Sequence, residues 1–114
     1  MSLPKTYAEV AELLELRMDG FTPPWDWEER RVTRSGIRRY LMRAYDHPDL
    51  YRFQPWMRLW MQIQWTRERC RDLHVVIPPE LWDEDKARLA AKIAATSNVS
   101  HPEEKERALR WTRR

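Results

Sequence analysis

The chain has 114 residues and a formal net charge of +3, with charged side chains at 34% and hydrophobic side chains at 42% of its positions. This composition excludes an extended disordered chain, and the length fits a single domain with one modest core. Only 2 residues are glycine whereas 8 are proline, which argues against a β-rich protein with many tight turns. We therefore predict one all-α domain over residues 1–114, a small bundle of about five or six helices with irregular crossings.

The first predicted helix follows a capping box in which Thr6 caps the helix and Glu9 reaches back. Apolar residues then recur at helical spacing: Tyr7, Val10, Ala11, Leu14 and Met18. Gly20 suits the end of this helix. After the proline pair Pro23-Pro24, a second, short helix is expected to end near Val32.

The next predicted helix spans about Ser35–Tyr45 and ends at His47-Pro48. Its apolar positions are expected to face inward: Ile37, Tyr40, Leu41 and Ala44. Three arginines are expected to point away from the core: Arg38, Arg39 and Arg43. A longer helix is then predicted over Pro55–Asp72, because proline is favoured at the first helical position.

Two further helices are predicted after the extended connector HVVIPP. One covers about Pro79–Thr96, with four acids near its positive end. The other follows a capping box formed by Ser100 and Glu103 and continues to the basic sequence RWTRR.

Positive charge is concentrated in the middle of the chain. Residues 1–29 carry a net charge of −5, residues 30–71 carry eleven arginines against three acids for a net charge of +8, and residues 72–114 are balanced. Arginine forms bidentate hydrogen bonds with phosphates and carboxylates, and it stacks on aromatic rings better than lysine does. The block therefore predicts a nucleic-acid or acidic protein partner. The alternative is a solvated helix face in a generally arginine-rich chain, which has 17 arginines and 4 lysines.

No catalytic or metal-binding pattern accompanies this block. His47, His74 and His101 lack a second histidine or cysteine at metal-ligand spacing, and Cys70 is the single cysteine. No G-x-S-x-G, glycine-rich phosphate loop or H-E-x-x-H sequence occurs. We therefore predict a non-enzymatic protein with no cofactor, no metal site and no small-molecule substrate.

The segment RVTRSGIRRYL, Arg31–Leu41, resembles the turn and recognition half of helix-turn-helix DNA-binding domains. Val32 follows the turn, Thr33 caps the second helix, and apolar residues recur on its inner side, although an arginine stands where the turn usually has glycine. The resemblance implies that residues on the outer side face the major groove or its phosphates: Arg34, Ser35, Arg38 and Arg39. Arg43, on the same predicted helix, completes the predicted nucleic-acid-binding set.

The segment PWMRLWMQIQWTRERCR is apolar around most of its helical circumference, which predicts a buried central helix. Four residues form a polar stripe within about 60° of one another at 100° per residue: Arg58, Gln62, Trp65 and Arg69. Trp65 is either a stacking side chain flanked by arginines or a rim tryptophan covered by arginine stems. With Trp25 and Trp27 of the sequence PPWDW, this stripe forms the predicted partner-binding set.

Two functions remain open. The first is a cytoplasmic regulator that binds nucleic acid through the arginine-rich block, and the expected nucleic acid is duplex DNA. The second is a protein-binding module or inhibitor that docks through tryptophan and arginine, and the charge asymmetry would also let two copies associate. The cytoplasm is predicted from the single cysteine and the absence of a leader sequence, and no membrane partner is expected because only eight uncharged residues separate Arg58 from Arg67.

Overall fold

The computed structural model describes residues 3–16 and 29–114. Within these residues the chain forms helices and no strand, which confirms the all-α prediction. The α-helices are α1 (Tyr7–Leu13), α2 (Arg34–Ala44), α3 (Pro55–Asp72), α4 (Asp83–Ala94) and α5 (Pro102–Thr112). Two short 3₁₀ helices, Pro48–Arg52 and Pro79–Trp82, precede α3 and α4.

Helix α1 begins as predicted, because the hydroxyl of Thr6 accepts a hydrogen bond from the amide of Glu9 at 3.1 Å. The carboxylate of Glu9 reaches back one residue further than a capping box requires and accepts from the amide of Lys5 at 2.9 Å. The helix ends at Leu13, earlier than predicted. Met18, Gly20 and most of the short helix expected before Val32 lie outside the described residues.

Helix α2 packs against α1 at a glycine. Thr33 caps α2, and its hydroxyl accepts from the amide of Gly36 at 2.9 Å. A Cβ atom on Gly36 would overlap the hydroxyl group of Tyr7, so glycine at this position permits the close approach. The ring of Tyr7 also lies 5.1 Å from that of Tyr40, and both residues are buried.

Helix α3 is the central helix of the core, and its bounds are those predicted. Trp56 and Ile63 are completely buried. Trp60 is buried between α3 and α5, where its indole nitrogen donates to the carboxylate of Glu104 at 2.9 Å and its ring lies 5.7 Å from that of Trp111. Throughout the part of the chain that the structure describes, no helix combines the length and the apolar character needed to cross a bilayer.

Two helix starts differ from prediction. The segment expected as one helix over Pro79–Thr96 begins as a 3₁₀ helix and becomes α4 at Asp83. Helix α5 has no side-chain cap, so the predicted capping box of Ser100 and Glu103 is wrong. The reason is a competing acceptor, because both the amide and the hydroxyl of Ser100 donate to the side-chain oxygen of Gln54 at 2.9 Å.

Arg38 points into the core, contrary to prediction. Its guanidinium lies 2.6 Å from the carboxylate of Asp85 on α4, and both residues are buried. A buried charge is retained only when it is paired, and Asp85 supplies that pairing. The helical pattern of α2 alone could not identify Arg38 as an inward residue, since its partner lies 47 positions further along the chain.

Candidate functional site

The carboxyl end of α2 divides the predicted polar stripe of α3 in two. Gln62, in the middle of the stripe, is buried, and its side-chain amide donates to the carbonyl of Met42 at 3.0 Å. Met42 belongs to the last turn of α2, where carbonyls have no partner within the helix. Gln62 therefore supplies a hydrogen-bond donor to a carbonyl at the end of α2. The prediction of one continuous polar stripe facing outward is wrong, because Gln62 faces inward.

On one side of Gln62 lies a depression of about 250 Å³, which we call the basic cleft. Its charged and aromatic lining residues are Arg43, Asp46, Tyr51, Arg58, Arg88 and Lys92. The four cationic side chains come from three helices, α2, α3 and α4, and Asp46 is the single carboxylate among the lining residues. The structure thus joins Arg43 of the predicted nucleic-acid set to Arg58 of the predicted partner set.

The positive charge of the basic cleft is largely uncompensated. Among the described residues, no carboxylate pairs with Arg43, Arg58 or Lys92. Arg88 has one distant contact, 3.9 Å from the buried carboxylate of Asp85. Like charges that converge without counter-charges raise the local positive potential and attract anions.

Helix geometry explains why these cations converge. Arg88 and Lys92 are four residues apart and lie on one face of α4. Arg43 lies in the last turn of α2, where the helix dipole favours a cation. Arg58 lies one turn before Gln62 on α3, so the hydrogen bond of Gln62 to α2 brings Arg58 to the same depression.

The remaining predicted nucleic-acid residues are distributed unevenly on α2. Arg34 and Arg39 are exposed, Ser35 is half-buried, and Arg38 is buried against Asp85. Arg39 lies one turn before Arg43 and on the same side of α2, so it extends the basic surface beyond the cleft. Arg34 lies about 180° from Arg43 at 100° per residue and so projects from the opposite side of the helix.

On the other side of Gln62 lies a larger depression of about 390 Å³, which we call the Trp65 pocket. Its lining residues are Leu14, Glu15, Leu16, Ala44, Tyr45, His47, Asp49, Leu50, Trp65 and Arg69. Trp65 is half-buried, and its ring lies 5.6 Å from that of Tyr45. Arg69 donates to the hydroxyl of Tyr45 at 3.1 Å and to the carboxylate of Asp72 at 2.8 Å. Trp65 therefore does not lie between two arginines as the polar stripe predicts, because Arg58 lies in the basic cleft.

The histidines occupy helix ends. The Nδ1 atom of His47 accepts from the amide of Asp49 at 3.1 Å and so caps the 3₁₀ helix Pro48–Arg52. His74 and His101 both adopt a φ of 57° where the chain leaves or enters a helix. In the described ranges 3–16 and 29–114, no group of three or more histidine, cysteine, aspartate or glutamate residues is arranged to hold a metal ion.

Four of the charged and aromatic residues that line the basic cleft are absent from the predicted site residues: Asp46, Tyr51, Arg88 and Lys92. The signal available in the sequence is the four-residue spacing of Arg88 and Lys92, but the balanced charge of residues 72–114 conceals it. Tyr51 has no such signal, since the cations that line the cleft with it come from α2, α3 and α4 and not from its own segment. The predicted partner residues Trp25 and Trp27 lie outside the described residues.

Comparisons with protein-family models, curated proteins and solved structures found no match for the chain. The resemblance of Arg31–Leu41 to a helix-turn-helix therefore stays a prediction. Among the described residues, the basic cleft and the Trp65 pocket contain members of the two predicted sets of site residues.

Proposed function

We propose that the protein binds nucleic acid through the basic cleft. The observation that carries the proposal is the convergence of four cationic side chains from three helices beside a single carboxylate. Arginine and lysine side chains neutralise backbone phosphates, and this contact supplies most of the affinity in sequence-independent binding. A regulatory, non-enzymatic and cytoplasmic role stays a prediction from the sequence.

A polymeric anion suits the surface better than a small one. Arg39 extends the basic surface one turn along α2 from Arg43 and is exposed. A lone anion would fill the cleft and leave Arg39 without a partner, whereas a nucleic acid presents phosphates at regular intervals. Arg38 is not part of the proposed surface, since Asp85 occupies its guanidinium.

The test is a titration of fluorescently labelled oligonucleotides, duplex and single-stranded, at about 50–200 mM salt as is usual for counterion analysis. The triple variant Arg43→Ala, Arg88→Ala, Lys92→Ala, which we call the cleft variant, should bind more weakly. The slope of log affinity against log salt concentration should fall by about 1 for each phosphate that is no longer neutralised. The charge-matched control is Arg71→Ala, Arg110→Ala, Arg113→Ala, which removes three exposed cations elsewhere.

The control decides between a local site and general positive charge. The proposal requires the control to retain tighter binding than the cleft variant at every salt concentration. Equal losses of affinity in the two triple variants would show that binding follows net charge and not the cleft. Absence of binding to any oligonucleotide at low salt would overturn the proposal outright.

A second candidate is protein binding at the Trp65 pocket. The observation that favours it is a mostly apolar depression of about 390 Å³ with a half-buried tryptophan in its wall. Tryptophan and arginine are enriched at the centres of protein interfaces. Under this candidate, Trp65→Ala should abolish capture of one specific protein from the host, and the cleft variant should not; capture unchanged by Trp65→Ala would refute it.

A further inference from the structure

We propose that the basic cleft binds a single strand, with an unpaired base stacked on Tyr51 and the adjoining phosphate held by Arg43, Arg88 and Lys92. This inference rests on the proposed function and deepens it, because it names the form of nucleic acid and the side chain that contacts a base. It differs from the duplex DNA that the helix-turn-helix resemblance implies.

Tyr51 presents an exposed ring at the basic cleft. Among the described residues, three large hydrophobic side chains are exposed: Leu13, Tyr51 and Val76. Tyr51 is the one aromatic residue of the three, at 60% exposure, and it is also the one that lines the basic cleft. An exposed ring beside converging cations is the combination found in single-strand binding grooves, where bases stack on aromatic side chains and cations follow the backbone.

The ring of Tyr51 is held in place before any ligand binds. Tyr51 lies in the 3₁₀ helix Pro48–Arg52, which His47 caps, which contacts α3 and in which the side chain of Leu50 is buried. The guanidinium carbon of Arg58 lies 4.7 Å from the centroid of the Tyr51 ring, a cation–π contact that covers one face. A base on the other face would extend this stack without a large ordering cost.

A duplex has no free base face on which the ring of Tyr51 could stack. Bases within a duplex are already stacked on their neighbours, so their faces are not available to a side chain without unstacking. A duplex would therefore contact the cations of the cleft through its phosphates and leave Tyr51 unused. A single strand has unpaired bases that can lie on an aromatic ring while its phosphates remain near the cations.

The experiment compares a labelled single strand of deoxythymidines with a duplex of the same length, using the full chain. We expect the unmodified protein to bind the single strand more tightly. Tyr51→Ala should weaken single-strand binding about tenfold or more, as removal of a stacking ring does elsewhere, with little effect on the duplex. Tyr51→Phe keeps the ring and should keep the preference, and Val76→Ala, which removes an exposed side chain outside the cleft, should change neither affinity.

The outcomes separate this inference from the proposed function. If the duplex binds as tightly as the single strand and Tyr51→Ala affects neither, the stacking inference fails, while weaker binding by the cleft variant would still support nucleic-acid binding. If no oligonucleotide binds, both fail. Thermal unfolding of Tyr51→Ala is the control for folding, and an unchanged melting temperature makes any loss of affinity attributable to the ring.

Discussion

The guanidinium of Arg38 and the carboxylate of Asp85 meet across 2.6 Å inside the protein and join α2 to α4. Burial raises the pKa of Asp85, and the charges of Arg38 and Arg88 only partly oppose that shift. The Nε atom of Arg38 has no hydrogen-bond partner among the described residues, although the guanidinium carbon lies 5.9 Å from the ring of Trp82. From this desolvation cost we infer that the pair contributes less to net stability than to fixing how α2 and α4 meet.

Removal of one partner of the Arg38–Asp85 pair should therefore strongly destabilise the folded protein. We expect Asp85→Ala to lower the free energy of unfolding by about 3–5 kcal/mol, because it leaves a buried guanidinium without a counter-charge. Urea denaturation followed by tryptophan fluorescence measures this change. Asp83→Ala is the control, since Asp83 is an exposed acid in the first turn of the same helix. A destabilisation no larger than that of the control would contradict the buried pair.

Replacement of both Arg38 and Asp85 should destabilise the protein far less than removal of Asp85 alone. The double variant Arg38→Met, Asp85→Leu puts apolar side chains of similar volume where the ion pair was, so no charge is left buried. We expect its free energy of unfolding to lie much closer to that of the unmodified protein than that of Asp85→Ala does. The same urea titration measures it, and a double variant as unstable as Asp85→Ala would indicate that packing, not charge, makes this position sensitive.

Trp60 and Trp65, two of the three tryptophans of α3, should differ in their contribution to stability. Trp60 is buried and hydrogen-bonded to Glu104, so Trp60→Ala should cost about 3–5 kcal/mol. Trp65 is half-buried at the edge of its pocket, so Trp65→Ala should cost less. Chemical denaturation of the two variants measures the difference, and equal destabilisation would mean that Trp65 is a core residue and its pocket is not a binding surface.

The thiol of Cys70 should make stability depend on alkaline pH. Burial raises its pKa from 9.0 to about 11, and the charge of Arg38 opposes the shift only in part. Between these values the unfolded chain loses the proton while the folded protein keeps it, so the stabilising contribution is complete below pH 9.0 and is lost as pH rises towards 11. The free energy of unfolding should fall by about 2–3 kcal/mol across this window.

The matched control for this prediction is Cys70→Ala. The variant has no thiol, so the difference in stability between it and the unmodified protein should shrink as pH rises from about 8 to about 11 under the linkage relation. Unfolding by urea at each pH measures this difference. A difference that stays constant with pH would contradict the raised pKa.

Gln54 should stabilise the contact between the start of α3 and the start of α5. Its side-chain oxygen accepts from Trp56 Nε1 and from the amide and hydroxyl of Ser100, each at 2.9 Å. Gln54→Ala leaves these donors without their acceptor and should cost about 1–3 kcal/mol in thermal or chemical unfolding. Gln64→Ala is the control within α3, since no hydrogen bond within the described part of the chain involves the Gln64 side chain, and a destabilisation equal to that of the control would contradict this role.

The sequence predicts helix α3 well because the signals for it are local. A proline at the first helical position and an apolar circumference define both its start at Pro55 and its burial. Thr6 and Thr33 likewise identify the starts of α1 and α2, because a cap acts within three residues. The predicted cap at Ser100 fails for the opposite reason, since its competitor Gln54 is 46 residues away.

The site is less predictable because its members come from distant parts of the chain. Helical periodicity places Arg38 and Gln62 on polar faces, and it contains no information about the carboxylate or the carbonyl that draws each of them inward. The arginine-rich block identifies Arg43 and Arg58, but the sequence pattern assigns them to different partners. Only the packing of α4 against α3 brings the cations of α4 beside them.

The construction of the basic cleft from three helices has a thermodynamic consequence. Its cations lie as far apart along the chain as Arg43 and Lys92, so the unfolded chain does not hold them together. A ligand that needs all of them binds the folded state alone and must shift the folding equilibrium towards it, by about 2.7 kcal/mol at a free concentration about 100 times its dissociation constant. The melting temperature of the protein thus becomes a label-free reporter of cleft occupancy, and it can rank polyphosphates and oligonucleotides before the natural ligand is identified.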